Sequence, residues 1–325
     1  MPPATGLRRR QRPRGCAPLA DTTRADTLER SRGRLRRQQA LTAAGLAGPA
    51  TFLLFLLLLG PTTAVVALSF TDWQFGAKSL NLIGLGNYAE MFGDRVFWRS
   101  LRNTLVYVAI TVPTSVLLGL GFALLIEARS SAQGFYRTVY FLPVTATLIA
   151  MAVVWEFLFH PNIGLVNLLL GLVGIRGGHW LNNPATALYA LAAIGVWQSL
   201  GFNVVLFLAG LKSVPRDLYD AAAVDGADSA WERFRRVTWP MLGPTLMFVL
   251  VIMAIRSFQV FDTVAVLTSG GPNKSTEVLL YTMYTEGFTY FRSGYASAIT
   301  VVFLAFVLTL TLLQARILDR RVHYT

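Results

Sequence analysis

Leu218-Tyr-Asp-Ala-Ala-Ala-Val-Asp-Gly-Ala-Asp228 is a polar stretch set between two long apolar runs, Ala185–Leu211 and Met241–Leu267. Runs of that length can cross a hydrocarbon core of about 30 Å at about 1.5 Å per residue. The polar stretch cannot, so it lies in water at one face of a membrane, and its reading decides how the flanking runs are laid out. Outward from it the alternation repeats. Leu46–Phe70, Thr104–Ile126 and Thr138–Phe159 precede it and Tyr295–Ala315 follows, so six transmembrane helices and an all-α membrane protein are expected. The chain of 325 residues is 54% hydrophobic and 14% charged, with a mean hydropathy of +0.50, too apolar for an ordinary soluble domain. Val166–Val173 is apolar but too short to cross and is expected at the interface or against a neighbouring helix.

Basic residues orient the spans, because Lys- and Arg-rich loops stay on the cytoplasmic side. The head, the second and fourth loops and the tail hold 21 Lys and Arg, whereas the odd-numbered loops hold 7. Both termini are therefore expected in the cytoplasm, with the chain multi-pass in the plasma membrane. The net charge of +12 mostly reflects this asymmetry. The run Arg8-Arg9-Arg10-Gln11-Arg12-Pro13-Arg14 is accounted for by topology anchoring or contact with anionic membrane lipid, and no nucleic-acid partner is expected.

Three organisational units follow: a basic head at 1–45, a six-span domain at 46–325, and within it a cytoplasmic loop at 213–240. The head is rich in Arg, Pro and Gly and poor in large apolar residues, a composition expected to be disordered. A cleaved signal peptide is not expected, since the charged head is long and the first apolar run is itself long enough to span. Cys16 is the single cysteine, which excludes an intramolecular disulfide and a cysteine-based metal cluster. His160, His179 and His323 form no i,i+4 pair, so no metal site and no catalytic residue are expected. A phosphate-cradling G-x-x-x-x-G-K-[ST] loop is missing too: the lysines, Lys78, Lys212 and Lys274, follow Ala77, Leu211 and Asn273. If ATP drives this protein, another chain of that type hydrolyses it.

The loop at 213–240 is built from helix formers. Ser213 and Pro215 read as the start of a short helix, and Leu218, Ala221 and Ala222 give it a narrow face of small and apolar side chains. Gly226 breaks the helix as a residue able to take positive φ, and Ser229-Ala-Trp-Glu232 matches a capping box that starts a second one. Pro240 is read as the end of the unit. Asp217, Asp220, Asp225 and Asp228 cluster near the bend, and Arg233, Arg235 and Arg236 lie on the second arm. Two readings fit these residues, a solvated amphipathic connector and a docking surface.

Polar side chains that interrupt spans usually face a cavity or a partner, because unpaired polar groups are costly in lipid. Arg256, Ser257, Gln259 and Asp262 interrupt the fifth run, and Gln198, Ser199 and Asn203 the fourth. For Arg256 the alternatives are an ion pair with Glu156 or Asp262, a contact to a partner chain, or a cationic site for an anionic solute. Interhelical hydrogen bonding competes with a cavity role for Gln198, Ser199 and Asn203. Trp73, Tyr88, Trp98, Trp180 and Tyr290 are expected in the outer aromatic belt, Gly270-Gly-Pro272 in a tight exterior turn, and the stretch from Val278 to Phe288 in a short helix on the outer surface.

In Asp220-Ala221-Ala222, Asp225-Gly226-Ala227 and Trp239-Pro240 the loop resembles the coupling motif of ABC-importer permeases, with Asp220 for the usual Glu and Trp239 for the usual Leu. The resemblance covers roughly Pro49 to Tyr324 and is to carbohydrate-uptake permeases of the maltose and glycerol-3-phosphate type, the first of the two such systems encode. It is carried further by Leu68-Ser-Phe-Thr-Asp-Trp73, Gly84-Leu-Gly-Asn-Tyr88, Phe135-Tyr-Arg-Thr-Val-Tyr-Phe-Leu-Pro143, Ser257-Phe-Gln-Val-Phe-Asp262, Gly270-Gly-Pro272 and Gly294-Tyr-Ala-Ser-Ala298. The resemblance implies a type I importer fold with cytoplasmic coupling helices and alternating access. It also implies a second homologous permease, two ATPase subunits and an extracytoplasmic solute-binding protein, which the loop at Gly270-Gly-Pro272 would face. ATP and Mg²⁺ are then used by the ATPase, and this chain binds no cofactor and is not an enzyme. Coupling falls to Asp220, Ala221, Ala222, Asp225, Gly226, Ala227 and Pro240. Gln198, Ser199, Phe202, Arg256 and Ser257 fall at or beside cavity positions, with Asn203 and Gln259 as further candidates. The solute is a sugar or a glycerol-3-phosphate or glycerophosphodiester-like molecule, a di- or oligosaccharide being the alternative; Arg256 and Arg321-Val-His-Tyr324 tilt toward the phosphate end. A secondary transporter would show inverted repeats and broken helices with paired ionisable groups, and a membrane scaffold would need no polar cavity residues.

Overall fold

The structure, a computed structural model, describes residues 38–128, 134, 139, 142 and 147–319. The head before Gln38, Cys16 included, most of the Phe135–Pro143 motif and the Arg321–Tyr324 tail lie outside the described residues. The chain divides between Thr63 and Ala64, and the two parts are taken separately.

The described residues of the first part belong to α1, which runs Gln38–Leu68 and contains a π turn at Phe55–Leu59. It is already helical at Gln38, the first described residue and eight positions before the expected Leu46, because Gln38 to Gly45 contains no proline and continues the helical pattern. Its apolar residues occupy every face, which suits a helix whose solvent is hydrocarbon.

The second part is also helical, its pairing limited to one isolated bridge between Thr71 and Leu82. A short α2, Gly86–Gly93, leads into α3, Arg95–Glu127, which is 33 residues long. Asp94 accepts a hydrogen bond from the Val96 N–H at 2.8 Å, and this cap starts the helix well before the apolar run at Thr104. Pro113 sits inside α3; a span tolerates it where neighbouring helices cover the freed backbone. The expected third span is described only from Thr147, where α4 covers Leu148–Leu158. Then come α5, Leu165–Leu172, and α6, Ala187–Lys212. Between the fourth and fifth expected spans follow α7, Arg216–Val224, and α8 at 230–241, made of Ala230–Arg233, a π turn Phe234–Thr238 and Trp239–Met241.

The expected fifth span is two helices, α9, Gly243–Phe258, and α10, Asp262–Leu267, with a break at 259–261. It is followed by α11, Leu279–Tyr284, extended by a π turn Thr285–Thr289, and by α12, Ser293–Asp319. Five helical stretches among the described residues are long and apolar enough to cross a membrane: α1, α3, α6, the α9–α10 pair and α12 to Gln314.

Two packing centres hold α3, α6 and α9–α10 together. In one, Val116, Leu120 and Ala123 of α3 meet Val204, Phe207 and Leu208 of α6 and Val249 and Met253 of α9. In the other, Tyr107, Leu191, Ile194, Val264 and Val278 form a second core. Since lipid tails are as apolar as leucine, helix association in a membrane relies on close contact between small residues. Gly119 provides one such contact: a Cβ there would stand 2.6 Å from the Asn203 Cβ. Gly195, against the Tyr107 hydroxyl, provides another.

Exterior features settle more locally. In α5 the Asn167 side chain donates to the Pro161 and Gly178 carbonyls and accepts from Trp180 Nε1, while Leu168 and Leu172 stay exposed. Gly270-Gly-Pro272 forms a tight turn, with Gly270 at φ +79° and Gly271 N–H donating to the Thr268 carbonyl. α11 is less superficial than expected: Leu279 and Thr282 are buried, Leu279 in a core with Met91, Phe97, Tyr295 and Ile299.

Candidate functional site

A polar cavity of about 290 Å³ opens where α3, α6 and the α9–α10 break converge. Tyr107 and Thr111 line it from α3, Gly195, Gln198 and Ser199 from α6, and Arg256, Ser257 and residues 259–263 from the broken span. At the break Gln259 still donates to Ile255 and Arg256, but Val260 reaches only Ser257, and Phe261 adopts φ −141°, ψ −57° outside helical geometry. Regular hydrogen bonding resumes when Ala265 N–H donates to Phe261. Irregular backbone at membrane depth is tolerated where it lines a cavity or is buried in protein, and this one lines the cavity.

Arg256 forms no ion pair with Glu156, Asp262 or any other described carboxylate. Its guanidinium instead lies 4.5 Å from the centroid of the Phe202 ring, a cation–π contact that holds the charge while leaving its N–H donors toward the cavity. Gln198, Ser199, Ser257 and Gln259 add hydroxyl and amide groups to the lining, and Asp262 adds a carboxylate. Such a set suits a small polyhydroxylated solute.

Of the cavity candidates, Gln198, Ser199, Arg256, Ser257 and Gln259 line the same cavity, and the Phe202 ring lies against the Arg256 guanidinium. Asn203 does not join them. It is wholly buried at the Gly119 contact, and neither atom of its amide meets a hydrogen-bond partner among the described residues. A helix places i and i+1 about 100° apart, so Asn203 turns into the α3–α6 seam when Phe202 faces Arg256. Sequence reading missed Tyr107 and Thr111, although Thr104, Tyr107, Thr111 and Ser115 recur on α3 at three- and four-residue spacing. It missed Val260, Phe261 and Thr263 because no Gly or Pro marks the break.

The α7–α8 helix pair is fixed by local bonds. At the end of α7 Ala227 N–H donates to the Ala222 carbonyl at 2.8 Å and Gly226 N–H to Ala223 at 3.1 Å. With Gly226 at φ +80° this is a Schellman ending, and Ala227 and Ala222 make its apolar contact. Ser229 and Glu232 form the reciprocal capping box of α8, Ser229 Oγ accepting from Glu232 N–H at 3.2 Å. The Ser229 backbone N–H, helped by its hydroxyl, holds the Glu232 carboxyl below the usual carboxylate range. Tyr219 and Thr238 hydroxyls, 3.0 Å apart, and the buried Val214, Ala222, Ala227 and Val237 clamp the arms together.

Two details differ from expectation. Ser213 is no helix start; its hydroxyl donates back to Gly210 at the end of α6, and Pro215 is the N-cap of α7. Pro240 does not end α8, since the helix passes through it to Met241. The π turn just before it widens the backbone, where a regular α turn would press the ring on a carbonyl. Leu218, Ala221, Ala222, Asp225, Val237 and Pro240 are among the walls of a groove of about 370 Å³ between the arms. Asp217, Asp220, Asp225 and Asp228 are exposed around it and unpaired among the described residues.

Apolar crossing helices, a polar cavity at a broken span and a rigid helix pair outside the membrane define a transport permease. The chain belongs to the family of binding-protein-dependent transport system inner membrane components, whose pattern matches residues 82–324. It is similar to the sulfoquinovosyl glycerol transport system permease protein SmoG of Agrobacterium fabrum, 34% identical over 86% of this chain and 90% of the relative. The sn-glycerol-3-phosphate transport system permease protein UgpA of Brucella abortus is 35% identical over 82% and 90%. The trehalose/maltose transport system permease protein MalF of Thermococcus litoralis is 34% identical over 72% and 79%. In fold it resembles a chain of a bacterial alginate ABC transporter in complex with an alginate pentasaccharide-bound periplasmic protein, with a TM-score of 0.76, 23% identity, and coverage of 89% of this chain and 96% of that one. The protein is thus a multi-pass inner-membrane permease of an ABC importer.

Proposed function

We propose that this chain imports a small polyhydroxylated solute by alternating access, drawing on ATP hydrolysed by two separate ATPase subunits that use Mg²⁺. The chain itself performs no catalysis. It works beside a second homologous permease, and an extracytoplasmic binding protein delivers the solute. Both termini face the cytoplasm, a reading that rests on the excess of Lys and Arg in the head, even loops and tail.

The observation that carries the proposal is the unpaired Arg256 guanidinium on the cavity wall, held over Phe202 among hydroxyl and amide groups. An unpaired cation at membrane depth is costly unless a cavity or ligand receives it. Arg256 favours a phosphorylated or otherwise anionic solute of the glycerol-3-phosphate kind, and the names of the relatives include both phosphorylated and neutral solutes. The groove between α7 and α8, with its exposed aspartates, is where each ATPase stroke would be received, through Asp220, Ala221, Ala222, Asp225, Gly226, Ala227 and Pro240. A rigid pair of short helices transmits a displacement that a flexible loop would absorb.

Uptake by the whole transporter carrying Arg256→Gln or Arg256→Lys tests the solute class. Glycerol 3-phosphate uptake should lose apparent affinity by about tenfold or more in the glutamine variant and by less in the lysine variant. Unchanged affinity in Arg256→Gln, with maltose-like sugars transported instead, would reject the phosphate reading.

A further inference from the structure

A second polar groove, of about 970 Å³, lies at the extracytoplasmic ends of α3 and α6 beside the loop at 273–275. Trp98, Arg99 and Arg102 form one wall and Tyr189 another, and no carboxylate lines it. Its loop wall is fixed to α3. Arg99 Nη1 donates to the Asn273 carbonyl at 3.0 Å, and Asn103 Nδ2 donates to the carbonyls of Lys274 and Glu277 at 3.2 and 2.9 Å. Lys274 pairs with Glu277, whereas Arg99 and Arg102 form no ion pair among the described residues. In the same wall the Ser275 hydroxyl is buried without a hydrogen-bond partner. Arg102, without a partner among the described residues, and the N–H groups that Arg99 does not spend on Asn273 supply the cationic donors a phosphate group requires.

What lies below the groove indicates the rest of the ligand. Trp98, Arg102, Leu105, Ala109, Pro113 and Leu117 form one exposed stripe along α3, recurring every three or four residues. Below Arg102 the stripe is apolar, and from Leu105 to Leu117 it runs about 18 Å at about 1.5 Å per residue, close to the roughly 15 Å depth of one leaflet. Trp98 and Tyr189, 51% and 58% exposed, flank the groove where interfacial aromatics sit at headgroup level. A free solute would use the cationic heads and leave the stripe without purpose; a lipid uses both.

We propose that this groove seats the headgroup phosphate of an anionic phospholipid of the extracytoplasmic leaflet, with the acyl chains lying along the α3 stripe. Arg102 and the remaining N–H groups of Arg99 hold the phosphate, and the missing carboxylate makes a net-negative headgroup preferable to a zwitterionic one.

Native mass spectrometry of the full chain in mild detergent tests this, using phosphatidylglycerol, phosphatidylcholine and free glycerol 3-phosphate as probes. Phosphatidylglycerol should be retained about tenfold better than phosphatidylcholine. Arg102→Gln should weaken that retention by about tenfold, Arg102→Lys should restore part of it, and glycerol 3-phosphate should not compete. Arg102 makes no hydrogen bond within the described chain, so its replacement leaves the fold intact; equal thermal unfolding of variant and parent in lipid-free detergent checks this. Equal retention of phosphatidylglycerol by parent and Arg102→Gln overturns the proposal. So does competition by glycerol 3-phosphate, which would make this a soluble-anion site. Unchanged lipid retention with weakened docking of the extracytoplasmic binding protein would make it a protein interface and equally reject the lipid.

Discussion

The α7–α8 helix pair and the cavity around Arg256 are built by opposite means. The pair is assembled from bonds between residues a few positions apart: Ala227 to Ala222, Glu232 to Ser229, Gly226 to Ala223. The cavity draws its walls from three helices, so Tyr107, Gln198 and Arg256 meet only after α3, α6 and α9 have packed. Under the proposed function, the part that would receive the ATPase stroke is stiffened locally, and the part that would open and close is made from surfaces that can separate.

That contrast orders the effects expected from substitution. Gly226→Val should have the largest, because a β-branched residue at φ +80° is strained by about 1–3 kcal/mol whatever space surrounds it. Uptake should fall by about tenfold or more while the complex still assembles, which co-purification with the ATPase would check. Normal uptake by the assembled variant would mean that the Schellman ending of α7 transmits nothing. Phe202→Leu comes next. Removing the ring beneath Arg256 forfeits a cation–π contact of about 0.5–2 kcal/mol, and apparent solute affinity should drop by about two- to thirtyfold with the maximal rate largely kept.

Ser229→Ala acts on the other region and more gently. Loss of one side-chain cap should speed hydrogen exchange of the first α8 amides by about fivefold and leave solute affinity alone. The same cap has a pH signature. Because Glu232 is held below its usual range, the capping bond is complete at and above that range and is lost only as pH falls through the lowered value. Exchange at Ser229 to Arg233 should therefore stay slow to unusually acid pH, and Glu232→Gln should remove the dependence. Smallest of all is Asn203→Ala, which should leave apparent affinity unchanged, since that amide lies in the α3–α6 seam.

The local and nonlocal parts also differ in how far the sequence discloses them. Gly226, the Ser229–Glu232 box and the small-residue face of α7 follow from short-range rules, and the structure realises each. Pro240 departs from its rule because a π turn, which no residue pattern announces, makes room for it. In the cavity, polarity within apolar runs pointed to Gln198, Ser199, Arg256, Ser257 and Gln259, which all line it. Polarity could not distinguish Asn203, one residue along the helix and turned into a seam. Nor could it foresee the break at 259–261, which arises where three helices meet. The partner of Arg256 was equally out of reach: Glu156 and Asp262 attract by charge, yet the Phe202 ring lies under the guanidinium.

The separation of the two regions can be read in one number, ATP hydrolysed per solute imported, measured in proteoliposomes holding the whole transporter with either Gly226→Val or Arg256→Gln. The ratio should rise steeply for Gly226→Val, whose ATPase runs without moving cargo. For Arg256→Gln, at saturating solute, it should stay at the parent value. An unchanged ratio for Gly226→Val, or one raised as steeply by Arg256→Gln, would contradict the division of labour between the helix pair and the cavity.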